Sequence, residues 1–170
     1  ILVNKHKGVT SHDIVFKIRK LYGTKKVGHT GTLDPLATGV LPILIGRGAK
    51  AAEYLLSENK SYRAEVTLGI TTDTQDITGT VLNTSDVTVS EDEVRGTIAS
   101  FVGEYWQIPP MYSALKVNGQ KLCDLARQGV TIERKSRPVT IHSIEILRVE
   151  LPEVEMVVHC SKGTYIRTLC

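Results

Sequence analysis

The sequence predicts an α+β domain, a mixed and mostly antiparallel β-sheet flanked by helices, and three observations carry that prediction. From Ser61 to Ile70 the residues alternate, with Tyr62, Ala64, Val66, Leu68 and Ile70 on one face and Arg63, Glu65 and Thr67 on the other, the period of a half-buried strand. Ser90 and Glu93 form a capping box ahead of Val94, Ile98, Phe101 and Val102 at helical spacing, with Gly103 as the stop. The elements follow in the order α, β, α, β, α, β, α, β, β with hairpins and loops too short for regular crossovers, which favours antiparallel pairing.

Each element has its own signal. Thr10 or Ser11 caps a first helix in which Ile14, Val15, Ile18, Leu21 and Tyr22 make the apolar face and Gly23 ends it. From Lys25 to Gly39 the glycines and Pro35 come too often for a regular element, so this stretch reads as a long ordered loop. Leu41 to Ile45 is a short strand, and Ala51 to Leu56 a short helix that buries Ala51, Ala52, Leu55 and Leu56. The strand opened by Tyr62 leads into the turn formers TTDTQDITG. Ser113 to Val117 before Asn118-Gly119 is a hairpin signal, Leu122 to Gly129 a short helix. Strands from Val139 to Val149 and from Val154 to Cys160 precede the polar turn Ser161 to Thr164. Beyond that turn Arg167 alternates with Tyr165 as along a strand.

At 170 residues, 41% hydrophobic and 23% charged, the chain can close one core without a disulfide or structural metal and is too apolar for intrinsic disorder. A net charge of +3 permits a polyanionic partner without requiring one. Cys123, Cys160 and Cys170 are odd in number and widely spaced, which fits a reducing, cytoplasmic setting and offers no zinc pair. No run is long enough to span a bilayer, so no membrane is expected. Both ends read as cut from a longer chain. The hydrolase reading fails for want of a G-x-S-x-G elbow, and no dinucleotide fingerprint or P-loop is present.

The chemically unusual stretch is VGHTGTLDPLATGVLP, where Gly28, Gly31, Gly39 and Pro35 surround the carboxylate Asp34, with His29 close by. Ordering so many constrained residues is costly, which points to use of the acid; the plainer alternative is that Asp34-Pro35 starts a turn. GHTGTLDPLATGVLPI resembles the catalytic loop of the TruB family of pseudouridine synthases. KGVTSHDIV, KSYRAEVTLGITTDTQDITG, QIPPMYSALKVNGQKLCDLARQG and CSKGTYIRTL resemble the family's other blocks in the same order, so the resemblance covers nearly the whole chain. The uninterrupted LDPLATG and the SKGTYIRTL ending are similar to the bacterial, stand-alone branch.

That resemblance implies a pseudouridine synthase catalytic fold, with residues 1–170 as the N-terminal part of the catalytic domain and the C-terminal remainder and a PUA module absent. It implies an enzyme that isomerises the T-loop uridine of tRNA to pseudouridine through a flipped base, with no cofactor and no metal, acting as a monomer on the T arm. Asp34 would be the catalytic carboxylate and Arg167 its cation. Tyr62, in Lys60-Ser61-Tyr62, would stack on the uracil, His29 would insert into the T loop, and Asp76 would support Arg167. Lys5, Lys50 and Lys60 would meet RNA phosphates. Read without the family, Tyr62 is equally a strand residue lining the core, His29 a structural histidine, Asp76 a turn former, and Arg167 and the lysines solvated surface. A non-catalytic RNA-binding or RNA-folding module is the competing function. The chain departs from the family at Lys5-His6, where Lys-Pro is common.

Overall fold

The computed structural model describes residues 1–55 and 59–170, the side chain of residue 53 excepted, and the chain divides into two compact units, Ile1–Glu58 and Asn59–Cys170. In the first, helix α1 (Ser11–Leu21) starts from a reciprocal capping box. Thr10 Oγ1 accepts from the Asp13 N–H at 3.0 Å, and the Asp13 carboxylate accepts from the Thr10 N–H at 2.8 Å. Ile14 and Val15 are buried, whereas Leu21 is 76% and Tyr22 52% exposed, so the buried face is shorter than the periodicity predicted. The core under the helix is small, and the early turns already cover it.

That core lies on a three-stranded antiparallel sheet in the order β1 (Leu2–Lys5), β3 (Gly39–Ile45), β2 (Val27–His29). Val27, Leu41 and Ile43 close on Ile14 and Val15. Strands β1 and β2 are absent from the sequence prediction. β1 is four residues with Leu2 75% exposed, and β2 lies in the stretch read as a loop, where Gly28 and His29 give no strand signal. Pairing with β3 makes both. After β3 come a 3-10 helix (Gly46–Ala51) and the four-residue α2 (Ala52–Leu55). Leu55 is 40% exposed rather than buried, and Leu56, predicted to share its face, lies outside the described residues.

The second unit holds a four-stranded antiparallel sheet in the order β4 (Lys60–Thr67), β11 (Glu153–Cys160), β10 (Arg137–Glu150), β7 (Gly103–Gln107). Along β11, Val154, Met156, Val158 and Cys160 are all buried, the strict period of two expected for a strand with one face on a core. Ile141 joins Met156, Val158 and Cys160 in the central cluster. Tyr62, Ala64, Ile98, Tyr105 and Ile166 pack against it. Burying side chains of this size contributes roughly 1.5–3 kcal/mol each. Ile98 comes from α3 (Glu91–Ser100), whose predicted capping box is present: Ser90 Oγ accepts from the Glu93 N–H and the Glu93 carboxylate from the Ser90 N–H.

The predicted strand through Ile70 breaks at Gly69, whose φ is +81° and whose Cα sits so close to the Ser85 carbonyl that no side chain fits. Ile70 instead belongs to β5 (Ile70–Thr72), paired with β6 (Val81–Thr84), and is 47% exposed. The predicted hairpin appears as β8 (Lys116–Val117) and β9 (Gln120–Lys121), joined by Asn118 and Gly119 at φ +50° and +83°. Helix α4 (Leu122–Arg127) follows. Past Ser161–Thr164 the chain forms a single helical turn, α5 (Ile166–Leu169), so Arg167 does not continue a strand from Tyr165. The fold is α+β, as expected, but the strands of the described residues form separate sheets rather than one mixed sheet, and every ladder among them is antiparallel. Among the described residues no helix is long and apolar enough to cross a membrane.

Candidate active site

The first unit presents Asp34 on a loop fixed on both sides of the acid. Ser11, buried in the first turn of α1, donates its hydroxyl to the Leu33 carbonyl at 3.2 Å and accepts from the Leu33 N–H at 2.9 Å. On the other side, the Pro35 carbonyl accepts from the Gly8 N–H at 2.8 Å and from Lys5 Nζ at 3.3 Å. The Asp34 carbonyl itself accepts from the Ala37 N–H at 3.0 Å, which closes the turn the D-P dipeptide suggested. The carboxylate is half-buried.

Lys5 corrects a sequence expectation. It is fully buried, and its ammonium donates to the carbonyls of His6, Val9 and Pro35. A cation enclosed in this way cannot meet an RNA phosphate. Burial lowers its pKa from the ordinary lysine value, and the Asp34 carboxylate pulls the other way. Lys5 therefore fastens the Asp34 loop from below and places a positive charge within reach of the acid. The sequence signal for this was weak, because a lone lysine ordinarily reads as surface.

His29 ends β2 and is half-buried. Burial lowers its pKa, hydrogen bonding with the Gly31 backbone partly opposes that, and the neighbouring His12 adds to the lowering, so the imidazole is neutral at neutral pH. Lys50 is exposed at the end of the 3-10 helix, where a phosphate could reach it.

In the second unit the structure brings Arg167 and Asp76 together, with Nη1 3.8 Å from Oδ2 and side chains only 13% and 25% exposed. Asp76 sits in the turn between β5 and β6. Its Oδ1 accepts from Thr74 Oγ1 and the Thr78 N–H, both at 2.9 Å, and from the Thr78 hydroxyl, while its carbonyl accepts from Thr72 Oγ1 at 2.7 Å. Burial is the largest single influence on this carboxyl and pushes its pKa up. The hydrogen bonds from Thr78 and Thr74 and the charge of Arg167 together outweigh it, so the net direction is down and the group stays ionised. Tyr62 lies opposite Val158 in the β4–β11 ladder, half-buried against the central cluster, so its core-lining role is real and part of its surface stays open. Lys60 pairs with Cys160 at the end of that ladder and is half-buried.

Sequence reasoning missed Ser11, Gly8 and Gln107. Gln107 is buried at the end of β7: Nε2 donates to the Tyr165 carbonyl at 3.0 Å and to the Tyr105 hydroxyl at 2.5 Å, and Oε1 accepts from the Tyr165 N–H at 2.8 Å. A signal was available in the run QIPP, where an amide precedes two prolines that cannot continue a ladder.

Residues 19–166 match the family model described as TruB family pseudouridylate synthase (N terminal domain). The chain is 59% identical over 166 residues to tRNA pseudouridine synthase B of Alkaliphilus oremlandii (strain OhILAs), covering 98% of this chain and 56% of that protein. It is 55% identical over 168 residues to the protein of the same name from Clostridium novyi (strain NT), covering 99% and 58%. It thus spans somewhat more than half the length of these relatives. Among solved structures, a chain of a Cbf5-Nop10-Gar1 complex superposes with a TM-score of 0.71 at 31% identity, covering 99% of this chain and 41% of that one. A chain of an H/ACA RNP bound to a substrate RNA containing 2'-deoxyuridine gives 0.69 at 28% identity, covering 99% and 40%. The chain belongs to the TruB family of pseudouridylate synthases.

Proposed function

We propose that the full-length protein isomerises the T-loop uridine of tRNA to pseudouridine, with Asp34 as the catalytic carboxylate. The observation that carries this reading is the presentation of Asp34: a half-buried acid on a loop tied down at Leu33 by Ser11 and at Pro35 by Gly8 and Lys5. A loop that only turned the chain would not need an internal ammonium beneath it.

The reaction breaks the bond between uracil N1 and ribose C1′, turns the base, and joins C5 to C1′. The C5 proton leaves and N1 ends protonated, so there is no net redox change and no group donor. The chemistry needs a positioned carboxylate acting as nucleophile or base, which contributes typically 10²–10⁴-fold when it handles a proton. It needs no cofactor or metal. The target base has to leave its stack, and the open surface of Tyr62 offers an aromatic face that returns roughly 1–3 kcal/mol. Arg167, held by Asp76, supplies a fixed cation, and His29, neutral, fills space against RNA rather than moving a proton. Lys50 and Lys60 serve phosphates. Residues 1–170 form the N-terminal part of the catalytic domain of a cytoplasmic, monomeric enzyme, with the T arm as the bound element.

The test uses the full-length protein, an unmodified tRNA transcript and base-resolved detection of pseudouridine. The wild-type protein converts the T-loop uridine, and Asp34→Asn binds the transcript within about 3-fold while converting it at least ~10²-fold more slowly. Conversion by Asp34→Asn at the wild-type rate overturns the role of Asp34. A wild-type protein that binds the transcript and modifies nothing supports an RNA-binding module instead.

A further inference from the structure

We propose that Gln107 is a positioning residue for Arg167, acting through a two-pronged hold on the backbone of Tyr165. The inference rests on the reading of Arg167 as an active-site cation. Tyr165 is the N-terminal cap of α5, two residues before Arg167, and its own side chain makes no capping hydrogen bond. A four-residue helical turn has no stability of its own, since nucleation fixes several residues for very few hydrogen bonds. Something outside it has to set its position.

Gln107 does so from the sheet. It ends β7, which is paired with β10 at Arg137, and it is 3% exposed. Its amide donates to the Tyr165 carbonyl and accepts from the Tyr165 N–H, at 3.0 and 2.8 Å, as a neighbouring peptide group would in a ladder. The remaining amide hydrogen goes to the Tyr105 hydroxyl, so the side-chain plane is fixed as well. A buried glutamine that merely filled space would leave these groups unpaired at a cost, and a leucine would fill the same volume. At the far end of α5, Thr168 Oγ1 donates to Gln75 Oε1 at 2.6 Å. Gln75 adjoins Asp76 and has φ +61°, a conformation a glutamine adopts only when its surroundings impose it. The helical turn is thus tied at Tyr165 to the sheet and at Thr168 to the Asp76 loop, and Arg167 lies between the two ties, 3.8 Å from Asp76.

The experiment compares Gln107→Leu and Gln107→Glu in the full-length protein, each alone and combined with Arg167→Lys, on an unmodified T-arm RNA. Gln107→Leu keeps the volume and removes both hydrogen bonds to Tyr165; Gln107→Glu keeps the acceptor and sets a carboxylate oxygen against the Tyr165 carbonyl. With Arg167 intact, each lowers the single-turnover rate by roughly 10- to 100-fold, as a displacement near 1 Å does, and leaves RNA affinity within about 3-fold. With Arg167→Lys, each adds less than about 3-fold, because the misplaced group is already compromised. Amide exchange across residues 166–170 rises at least ~10-fold in Gln107→Leu while β11 stays protected. A rate within about 2-fold of wild type, the same loss in both backgrounds, or unchanged exchange in α5 overturns the proposal. If Gln107→Leu fails to fold, Gln107→Glu decides by the same three comparisons. A wild-type protein that makes no pseudouridine refutes the functional reading, and the exchange measurement then still decides whether Gln107 holds α5.

Discussion

Replacing Ser11 by alanine separates the anchoring of the Asp34 loop from everything else that stabilises the first unit. The hydroxyl makes two hydrogen bonds to one peptide, accepting from Leu33 N–H at 2.9 Å and donating to Leu33 carbonyl at 3.2 Å, and Ser11 is 2% exposed. A hydrogen bond of this kind contributes about 0.5–1.5 kcal/mol, and a buried N–H left without a partner costs about 1–3 kcal/mol. Leu33 is half-buried, so water recovers part of the loss, and the lower half applies: about 2 kcal/mol. Helix α1 keeps its cap, because Thr10 and Asp13 are untouched. For a domain of this size the change lowers Tm by roughly 4–8 °C. Freed on its N-terminal side, the loop lets Asp34 wander, and with Asp34 in its proposed role pseudouridine formation by the full-length protein falls by about 10- to 100-fold. Thermal melts followed by circular dichroism and single-turnover conversion of a T-arm RNA read the two effects. A Tm within about 1 °C of wild type together with an unchanged rate would refute the reasoning.

Two pH dependences follow from the shifted groups. The pKa of His29 is lowered by burial, so the unfolded chain binds this proton more readily than the folded one, and stability attributable to it is full above about pH 6.5 and declines as pH falls toward the folded value. His29→Gln flattens the stability profile between about pH 7 and 5 in denaturant titrations, and identical slopes for the two proteins would contradict this. Asp76 is depressed in the folded state, so its contribution is present above about pH 4 and is lost as pH drops through the folded pKa. Asp76→Asn is therefore less stable than wild type near neutrality, and the gap closes in acid; a gap that stays constant with pH would mean the carboxylate charge contributes nothing.

What the sequence revealed depended on whether the physics was local. Helices α1 and α3 were legible because their start signals, Thr10 or Ser11 for the first and Ser90 with Glu93 for the second, lie within a few residues of the apolar face they introduce. The Asn118-Gly119 turn was legible for the same reason. Strands β1, β2 and β7 were not, since their backbone conformation comes from β3 and β10 rather than from their own side chains. Among the candidate residues, Asp34, Asp76 and Arg167 were singled out by motif, and within the second unit the Arg167–Asp76 pair is present. Lys5 was misread because nothing near it in the sequence announces that three carbonyls, one of them thirty residues away, surround its ammonium. Gln107 went unnoticed because its partner is 58 positions on.

The register of β4 against β11 sets an order of events on the ribosome. Tyr62 is aligned with Val158, a separation of 158 − 62 = 96 residues, whereas Ser11 and Leu33 are 22 apart. The loop bearing Asp34 can reach its final shape without waiting for β11, by contacts that close quickly. Strand β4 cannot: it lies at the sheet edge with β11 as its neighbour, so its pairing waits until β11 has left the exit tunnel, at about 5–20 residues per second. For those seconds an unpaired strand with a half-apolar face waits in solution. Its outward-facing Arg63 and Glu65 are the charges that keep it from pairing with the wrong partner in the meantime.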